Sequence, residues 1–457
     1  MHFNLQPPRN LSVLNIDVKG TRLSRGRPRL MPRTVKSGAS TSNSSLDLKA
    51  SEIMSASAQE GFTASYFIRF LEWIGTIIKV PSKIVLKNIT SLRSLPIAFR
   101  ELKNLRHLDL SGCSNLTEMP NSFSELMHLQ YLALRDCMNL SIRLDILGEI
   151  SALEYVDFKG CSKLVYLPTG IANQRSLKYL NLLGTDLKWP LNIELPEKLQ
   201  RLRIGNLRAK RLPRVHHHHL GDLKWPLNLE LPEMLQRLRL GNLRAKRSYL
   251  PHHHHLGDLR PLKELKELIL IDFGGAGGIL WEEIAGPNMK VLVIRDCPIS
   301  IFSFKEQGTM LVGSVLRDLT LSGTQITEIC IPEGVLPSLE TLDLSENRRL
   351  VQVKGWPSAL IRLDLQGCDQ LKALINLSNL VDLKFLCINE CIDLETLNVE
   401  GLMSLEEIQA EECRKLKSIE GLSQRERLKY LRISTNTDVI WNDICNVLVS
   451  NLHNTAY

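Results

Sequence analysis

Two runs of four histidines are the residues whose type and spacing come nearest to a metal site. Neutral imidazoles bind zinc, nickel or copper, but consecutive histidines point in different directions, and no cysteine or acidic pair at ligand spacing accompanies them. The runs are internal to the chain of 457 residues, so they do not indicate an expression tag. We expect a tolerated loop expansion without metal and keep a metal site as the alternative. The residues concerned are His216, His217, His218, His219, His252, His253, His254 and His255.

Arginines beside these runs could bind an anionic partner. They lie in a tandem copy, residues 187–222 and 223–258, in which 29 of 36 positions are identical. Arg201 and Arg203, like Arg237 and Arg239, alternate with apolar residues, so each pair shares the outward side of a strand. Because acids look sparse on these strands, we expect the patch to contact an acidic protein surface; a solvated face is the alternative. Aromatic interleaving is poor here, which disfavours nucleic acid.

Charge is unevenly spread along the chain, whose formal net charge is +8. Residues 1–36 hold eight basic residues and one acid, and residues 187–258 hold fourteen basic residues and six acids. The remainder is therefore mildly acidic.

Other chemical motifs fail when their spacing is tested. The stretch 272–286, "DFGGAGGILWEEIAG", lacks the Lys-Ser/Thr of a phosphate loop, and no G-x-x-x-x-G-K-[ST] occurs in the sequence. We expect this stretch to be a flexible insertion. No nucleophile–base arrangement stands out, and Cys387 is expected at an exposed strand position, where a thiol could react. The sequence predicts no enzyme, no nucleotide and no cofactor.

A repeat of 21 to 24 residues supplies most of the elements that position these side chains. "NLRHLDLSGCSNLTEMP", residues 104–120, contains the unit L-x-x-L-x-L-x-x-C-x-x-L-x-x-L/M-P. Its third apolar position, which we call the marker, recurs at Leu86, Leu110, Leu134, Phe158, Leu182, Ile204, Leu240, Leu270, Ile294, Leu321, Leu344, Leu365, Ile388, Ala410 and Ile433.

This period is the signature of leucine-rich repeats. The alternation x-L-x-L-x predicts a short strand with leucines on one side, and a single unit cannot bury that side alone. We therefore predict an α/β fold, a right-handed leucine-rich-repeat solenoid with a parallel β-sheet on its concave side. Prolines in the outer part of the repeat predict a mostly irregular convex face.

A small residue stands three positions after most of the fifteen markers, and we call this position the slot. A cysteine there can satisfy backbone carbonyls of the turn, and Thr185, Thr324 and Asn347 replace it elsewhere. Isolated buried cysteines predict reduced thiols in a reducing compartment. The slot cysteines are Cys113, Cys137, Cys161, Cys297, Cys368, Cys391 and Cys413.

The predicted domains follow from where the repeat begins and ends. Residues 1–60, basic and then serine-rich, are predicted to be a disordered tail, with a transit peptide as the alternative. Residues 61–80 would cap the solenoid of 81–435, and 436–457 would form a capping helix and tail. The apolar stretch at 66–80 is too short and too charged to span a membrane.

"LKNLRHLDLSGCSNLTEMP" and residues 152–185 resemble the repeat domain of plant intracellular immune receptors, which join it to a nucleotide-binding domain and often to a Toll/interleukin-receptor domain. The resemblance implies a protein-recognition module in plant defence without the nucleotide switch, in the cytoplasm or nucleus. The alternative is an adaptor, such as a substrate-selecting subunit of a ubiquitin ligase. The sequence leaves the oligomeric state open. Candidate partner-binding residues on outward strand positions and beside them are Lys178, Tyr179, Arg201, Arg203, Arg237, Arg239, Arg317, Asp343, Arg362 and Asp364.

Overall fold

A computed structural model describes residues 13–17, 45–49, 82–95, 97–141, 144–167, 169–187, 195–205, 231–241, 259, 261–272, 277–304 and 314–434. The chain divides into two compact units, Met1–Pro232 (unit 1) and Glu233–Tyr457 (unit 2). The prediction of one solenoid over 81–435 concerns both units and stays a prediction. The histidine runs, the predicted cap at 61–80 and the capping helix at 436–457 lie outside the described residues.

Unit 1 contains a parallel sheet in which the strands from β3 onward pair in chain order. Short 3-10 helices connect several of them, at Ile97–Glu101, Asn121–Glu125, Leu144–Glu149 and Thr169–Ile171. The strands are β1 (Val13–Asp17), β2 (Ser45–Lys49), β3 (Lys83–Lys87), β4 (His107–Asp109), β5 (Tyr131–Ala133), β6 (Tyr155–Asp157), β7 (Tyr179–Leu183) and β8 (Arg201–Gly205).

Two strands of this sheet lie inside the predicted tail. Strand β1 pairs in parallel with both β2 and β3, so the spatial order begins β2–β1–β3. The prediction of a disordered tail over 1–60 is therefore wrong for these ten residues and stays a prediction for the others. The 21–24-residue period missed both strands because Ile16, Leu48 and Leu86, which align across them, are 32 and 38 positions apart in the sequence.

Unit 2 contains parallel strands that pair in the order β9–β10–β12–β14–β16–β18–β19–β21–β23. The remaining strands form two-stranded parallel pairs, β11–β13, β15–β17 and β20–β22. The bounds are β9 (Arg237–Gly241), β10 (Glu267–Ile271), β11 (Gly277–Leu280), β12 (Val291–Arg295), β13 (Ile299–Ser303), β14 (Asp318–Ser322), β15 (Glu328–Cys330), β16 (Thr341–Asp343), β17 (Gln352–Lys354), β18 (Arg362–Asp364), β19 (Phe385–Cys387), β20 (Thr396–Asn398), β21 (Glu407–Ala410), β22 (Ser418–Glu420) and β23 (Tyr430–Ile433).

Helix is scarce in the described part of unit 2. One α-helical turn, α1 (Trp281–Ile284), and two 3-10 helices, Leu377–Asn379 and Leu422–Gln424, are described. The predicted flexible insertion at 272–286 is wrong for residues 277–284, because β11 pairs with β13 and α1 buries the Trp281 side chain. None of the described helices is long and apolar enough to cross a membrane.

The fifteen markers confirm the repeat. Each lies in, or directly after, one of the sheet strands from β3 to β23. The leucines that precede them in the alternation, such as Leu108, Leu132 and Leu180, have no exposed surface. Burying a leucine side chain contributes about 1.5–3 kcal/mol, so the repeated leucines account for a core that no single coil could form.

The slot cysteines connect their coils to the preceding ones. All seven slot cysteines are buried thiols, and each Sγ lies within hydrogen-bonding distance of the carbonyl oxygen of the preceding marker. The shortest are Cys161 to Leu134 and Cys413 to Ile388, both 2.9 Å, and the longest is Cys297 to Leu270, 3.7 Å. These are the contacts that the predicted structural role of the slot requires.

An asparagine fills the slot by the same chemistry. Asn347 Nδ2 donates to the carbonyl oxygens of Leu321 (2.6 Å) and Leu344 (2.8 Å). Its Oδ1 accepts from the backbone N–H and the hydroxyl of Thr324, at 2.8 and 2.6 Å. Any small side chain with a donor can therefore serve here.

Slot thiols should resist labelling in the folded protein. Burial raises the pKa of Cys113 and of Cys161 to about 12, so the reactive thiolate is scarce at neutral pH. In a Cys330→Ser/Cys445→Ser variant, which removes the exposed Cys330 and the cysteine outside the described residues, a thiol reagent should label only after denaturant is added. Rapid labelling of several thiols without denaturant would contradict the slot assignment.

Two outer-loop glycines of unit 2 provide a matched stability test. Gly355 and Gly334 both have positive φ, 78° and 76°, which costs other residues about 1–2 kcal/mol. An added Cβ at Gly355 would overlap the Ile331 carbonyl oxygen, whereas nothing lies within 4 Å of one at Gly334. Gly355→Ala should lower the free energy of unfolding by about 1–3 kcal/mol more than Gly334→Ala, as measured by urea denaturation. Equal losses of unfolding free energy in the two variants would show that the loop at Gly355 can shift to accommodate the added Cβ without loss of stability.

Candidate functional site: the open face of the sheet

The outward side chains of the strands form the candidate site. We call this surface the open face; it is the side of each sheet opposite to the buried leucines. Parallel strands pair in register, so residues at equivalent positions stand in columns about 4.8 Å apart across the sheet. Each unit therefore presents continuous columns of side chains on its own open face.

An aromatic column runs across the open face of unit 1. His107, Tyr131, Tyr155 and Tyr179 occupy the first position of four consecutive strands. Their ring centroids are 3.9, 4.2 and 4.1 Å apart, and the planes differ by no more than 10°. Each side chain is half-buried, because the faces of neighbouring rings cover one another. Rings held in this way are fixed in orientation before any partner arrives.

A buried carboxylate lies next to this column. Asp157, on β6, has no exposed surface. Its Oδ2 accepts from Arg135 Nε at 2.6 Å and from the Tyr155 hydroxyl at 3.1 Å, and its Oδ1 accepts from the backbone N–H of Lys159 at 3.0 Å. Arg135 Nη2 also lies 2.7 Å from the Tyr155 hydroxyl oxygen. The carboxylate is therefore fully paired, as a buried charge must be.

This network shifts the pKa of its members. Burial lowers the pKa of Arg135, but the hydrogen bond and charge of Asp157 outweigh it and the net shift is upward. Burial and the Asp157 charge together raise the pKa of Tyr155. Arg135 therefore stays charged and Tyr155 stays protonated at physiological pH.

The preceding coils repeat the arrangement with a lysine. Asp109 is buried, its Oδ2 lies 3.0 Å from Lys87 Nζ, and its Oδ1 accepts from Ser111. Burial raises the pKa of Asp109, but the hydrogen bonds from Ser111 and Lys87 lower it by more than burial raises it. The net shift of this pKa is therefore downward. On the unit 1 open face, Asp109 and Asp157 are thus buried, whereas their cationic partners Lys87 and Arg135 are partly exposed.

Unit 2 presents a different open face. Arg295 bridges two coils, with Nη2 3.5 Å from Asp343 and Nε 3.1 Å from the Ser322 hydroxyl. The guanidinium of Arg362 lies 3.6 Å from the centre of the Phe385 ring, and its Nη2 lies 3.4 Å from Asp364. A cation over an aromatic face contributes about 0.5–1 kcal/mol at exposed sites.

The structure places the duplicated arginines on outward strand positions, as the sequence predicts. Arg201 and Arg237 are exposed, and Arg203 and Arg239 are half-buried. Acids are sparse on the duplicated strands themselves, but Arg237 has an acidic partner on the following coil, because its Nε lies 3.1 Å from Glu267 on the next strand.

The other predicted site residues also lie on or beside the open face. Lys178 lies 2.8 Å from Glu154, and Arg317 lies 3.3 Å from Glu340. Tyr179 ends the aromatic column, while Asp343, Arg362 and Asp364 belong to unit 2. The predicted residues thus fall into two sets, one on each unit.

Cys387 is not exposed, which corrects the sequence prediction. Only 2% of its surface is accessible, and burial raises its pKa to about 12. Its side chain occupies the same column as Asp364 of β18, where Phe385 and Arg362 cover the sheet beside it. Cys330, on β15, is the exposed cysteine of the described residues.

Comparisons with known proteins agree with this fold. A family model described as Leucine Rich Repeat matches residues 104–126. A search with the sequence finds no match among curated proteins.

Solved structures of leucine-rich-repeat proteins are similar over most of the chain. A leucine-rich-repeat protein of Leptospira interrogans shares 19% identity, covers 82% of this chain and 84% of its own, and has a TM-score of 0.51. The functional domain of InlJ from Listeria monocytogenes shares 16%, with 79% and 65% covered and a TM-score of 0.40. The effector protein YopM from Yersinia pestis shares 18%, with 78% and 83% covered and a TM-score of 0.39. The fold is that of a leucine-rich-repeat solenoid.

The aromatic column should make stability depend on pH. Burial, together with Lys83, lowers the pKa of His107 to about 4 from 6.5. Between these values the unfolded chain binds a proton that the folded chain does not, so the contribution of this ring is complete above pH 6.5 and is lost as the pH falls towards 4. His107→Phe keeps the stacking, and it should lose less stability than the wild type between pH 7 and 4.5 in urea unfolding.

A matched substitution controls for the other titrating groups. His128 is exposed and lies off the sheet, so His128→Phe should show the wild-type pH dependence. If the stability of His107→Phe falls with pH as steeply as that of the wild type, the fold does not favour the neutral form of His107, and the account of the column is wrong.

Proposed function

We propose that this chain is a non-enzymatic protein-recognition module that binds a partner protein through the open face. One observation carries the proposal: the outward side chains of unit 1 are locked in place by one another above an aliphatic core. The stacked tyrosines and the Arg135–Asp157–Tyr155 network are the main case. Tyrosine and arginine are also the residues that most often dominate binding energy in protein interfaces.

Pre-organisation explains why these side chains suit recognition. Ordering a flexible side chain on binding costs about 0.5–1.5 kcal/mol. Rings held at 3.9 to 4.2 Å from their neighbours have lost most of that freedom in the unbound protein. A partner that contacts their exposed edges therefore gains contact area at a smaller entropic cost.

The charged groups of the unit 1 open face favour binding over catalysis. A general acid or base needs a pKa near the operating pH and access to substrate. Asp157 has no exposed surface, both of its carboxylate oxygens already accept hydrogen bonds, and the pKa of His107 lies near 4. Among the described residues, no group of three His, Cys, Asp or Glu side chains is placed to hold a metal ion.

A role in plant defence signalling is the finer part of the proposal. It rests on the resemblance of residues 102–120 and 152–185 to the repeat domains of plant intracellular immune receptors. The proposed location is the cytoplasm, or alternatively the nucleus. The thiol state of the described slot cysteines supports a reducing compartment.

The open face should be the surface that the partner needs. The full chain can be used in plant cells to capture a partner, whose affinity for purified variants is then measured by calorimetry. Tyr131→Ala/Tyr179→Ala should weaken binding by about tenfold or more, because it removes two fixed aromatic contacts.

A tyrosine elsewhere in unit 1 provides the control. Tyr166 is 66% exposed and lies between Cys161 and the 3-10 helix at Thr169–Ile171, off the open face. Tyr166→Ala should bind like the wild type. Unchanged binding by the Tyr131/Tyr179 variant, with its fold verified by circular dichroism, would refute the proposed surface.

A further inference from the structure

Arg135 has the geometry of an anion receptor. A guanidinium carries five N–H donors in one plane. The described hydrogen bonds engage Nε with Asp157 and Nη2 with Tyr155, and 44% of the side chain remains exposed. The two bonds fix the plane of the group, and the Nη1 side is not engaged by either of them. A carboxylate can bind such a fork through two parallel hydrogen bonds.

The buried carboxylate below Arg135 is not explained by stability alone. Replacing a buried ion pair by uncharged residues is often neutral or stabilising. In the next coil an uncharged residue, Asn181, stands at the position of Asp157 and accepts the backbone N–H of Leu183 at 3.2 Å, while Lys159 stands at the position of Arg135. The fold thus tolerates an uncharged side chain in place of the buried acid, whereas orienting Arg135 requires the acid.

The surroundings of Arg135 favour an acidic ligand. Lys159 is exposed and stands at the position equivalent to Arg135 in the next coil. Lys87 stands at the equivalent position two coils before Arg135, and its side chain is 38% exposed. The two acids that pair with these cations, Asp109 with Lys87 and Asp157 with Arg135, are buried, and the exposed acid next to Arg135 in the chain is Asp136. The three cations span about 14 Å across the strands, the length of about four extended residues.

The aromatic column argues against single-stranded nucleic acid as the ligand. Proteins that bind single strands stack bases on the faces of aromatic side chains. Here the faces of Tyr131 and Tyr155 are covered by their neighbours at about ring-stacking distance, 3.9 to 4.2 Å. A base could enter only by separating rings that stabilise one another, whereas a peptide can lie along their edges.

We infer that Arg135 is the anchor for a carboxylate in an acidic peptide segment of the partner protein, which lies across strands β3 to β6 beside the aromatic column. This inference rests on the proposed function and deepens it by assigning the chemistry of the partner. Lys159 and Lys87 flank the anchor and attract the segment, and the tyrosine edges contact its side chains. The contribution of such charges is strongest at low salt.

A charge-neutral double substitution tests the anchor. Arg135→Leu/Asp157→Asn leaves the net charge unchanged and introduces residue types that this chain already carries at the equivalent repeat positions, Leu183 and Asn181. The probe is a fluorescent twelve-residue peptide of alternating Glu and Ser, titrated with the full chain at low salt. The wild type should bind it, and the double variant should bind at least tenfold more weakly. Lys159→Gln should weaken binding about threefold.

Control variants and control probes separate the anchor from general charge. Lys103 is exposed, lies off the sheet and pairs with Glu125, so Lys103→Gln should bind the peptide like the wild type. A single-stranded oligonucleotide with the same number of charges should bind at least tenfold more weakly than the peptide.

Three outcomes would overturn the inference: no binding of the acidic peptide, unchanged binding by the folded double variant, or tighter binding of the oligonucleotide. The proposed function is tested separately with the captured partner. If that partner still requires Tyr131 and Tyr179, the open face remains the recognition surface and only the acidic anchor is wrong.

Discussion

The side-chain contact that recurs through both units, and on which the register of the coils that carry it depends, is the hydrogen bond from a slot cysteine or Asn347 to the marker carbonyl of the preceding coil. A single coil has one short strand and cannot bury its own leucines. Parallel strands could also slip along one another, and a slip of one residue would expose the apolar side. Cys113, Cys137 and Cys161 each bond the marker of the coil before, which fixes the register as well as the spacing.

The fixed register is what gives the open face its columns. Leucines fill the inward positions, so the outward positions carry no packing requirement and can vary in chemistry. In unit 1 this variation places three tyrosines and a histidine in one stack, next to a buried acid that orients Arg135. In unit 2 the same positions hold Arg295 and Arg362 in contact with acids and with an aromatic ring. The fold is therefore shared, and the surface is particular to each unit.

The sequence predicted the repeat, the buried slots and the outward arginines, because each depends on a pattern that recurs many times along the chain. It missed the aromatic column, although the signal was present: Tyr131, Tyr155 and Tyr179 are each 24 residues apart at the same place in the repeat. It also missed strand β1 and the Arg237–Glu267 pair. Those features depend on which segments are neighbours across the sheet, and the residues of a single strand do not carry that information.

Site-specific photo-crosslinking would test most directly the claim that the outward columns, and not the outer loops, receive the partner. A photoreactive phenylalanine analogue can replace Tyr179 on the open face or Tyr166 off it, since both positions carry an aromatic ring in this chain. On irradiation with the captured partner, the account predicts a covalent adduct from position 179 and none from position 166. An adduct from position 166, with none from position 179, would contradict it.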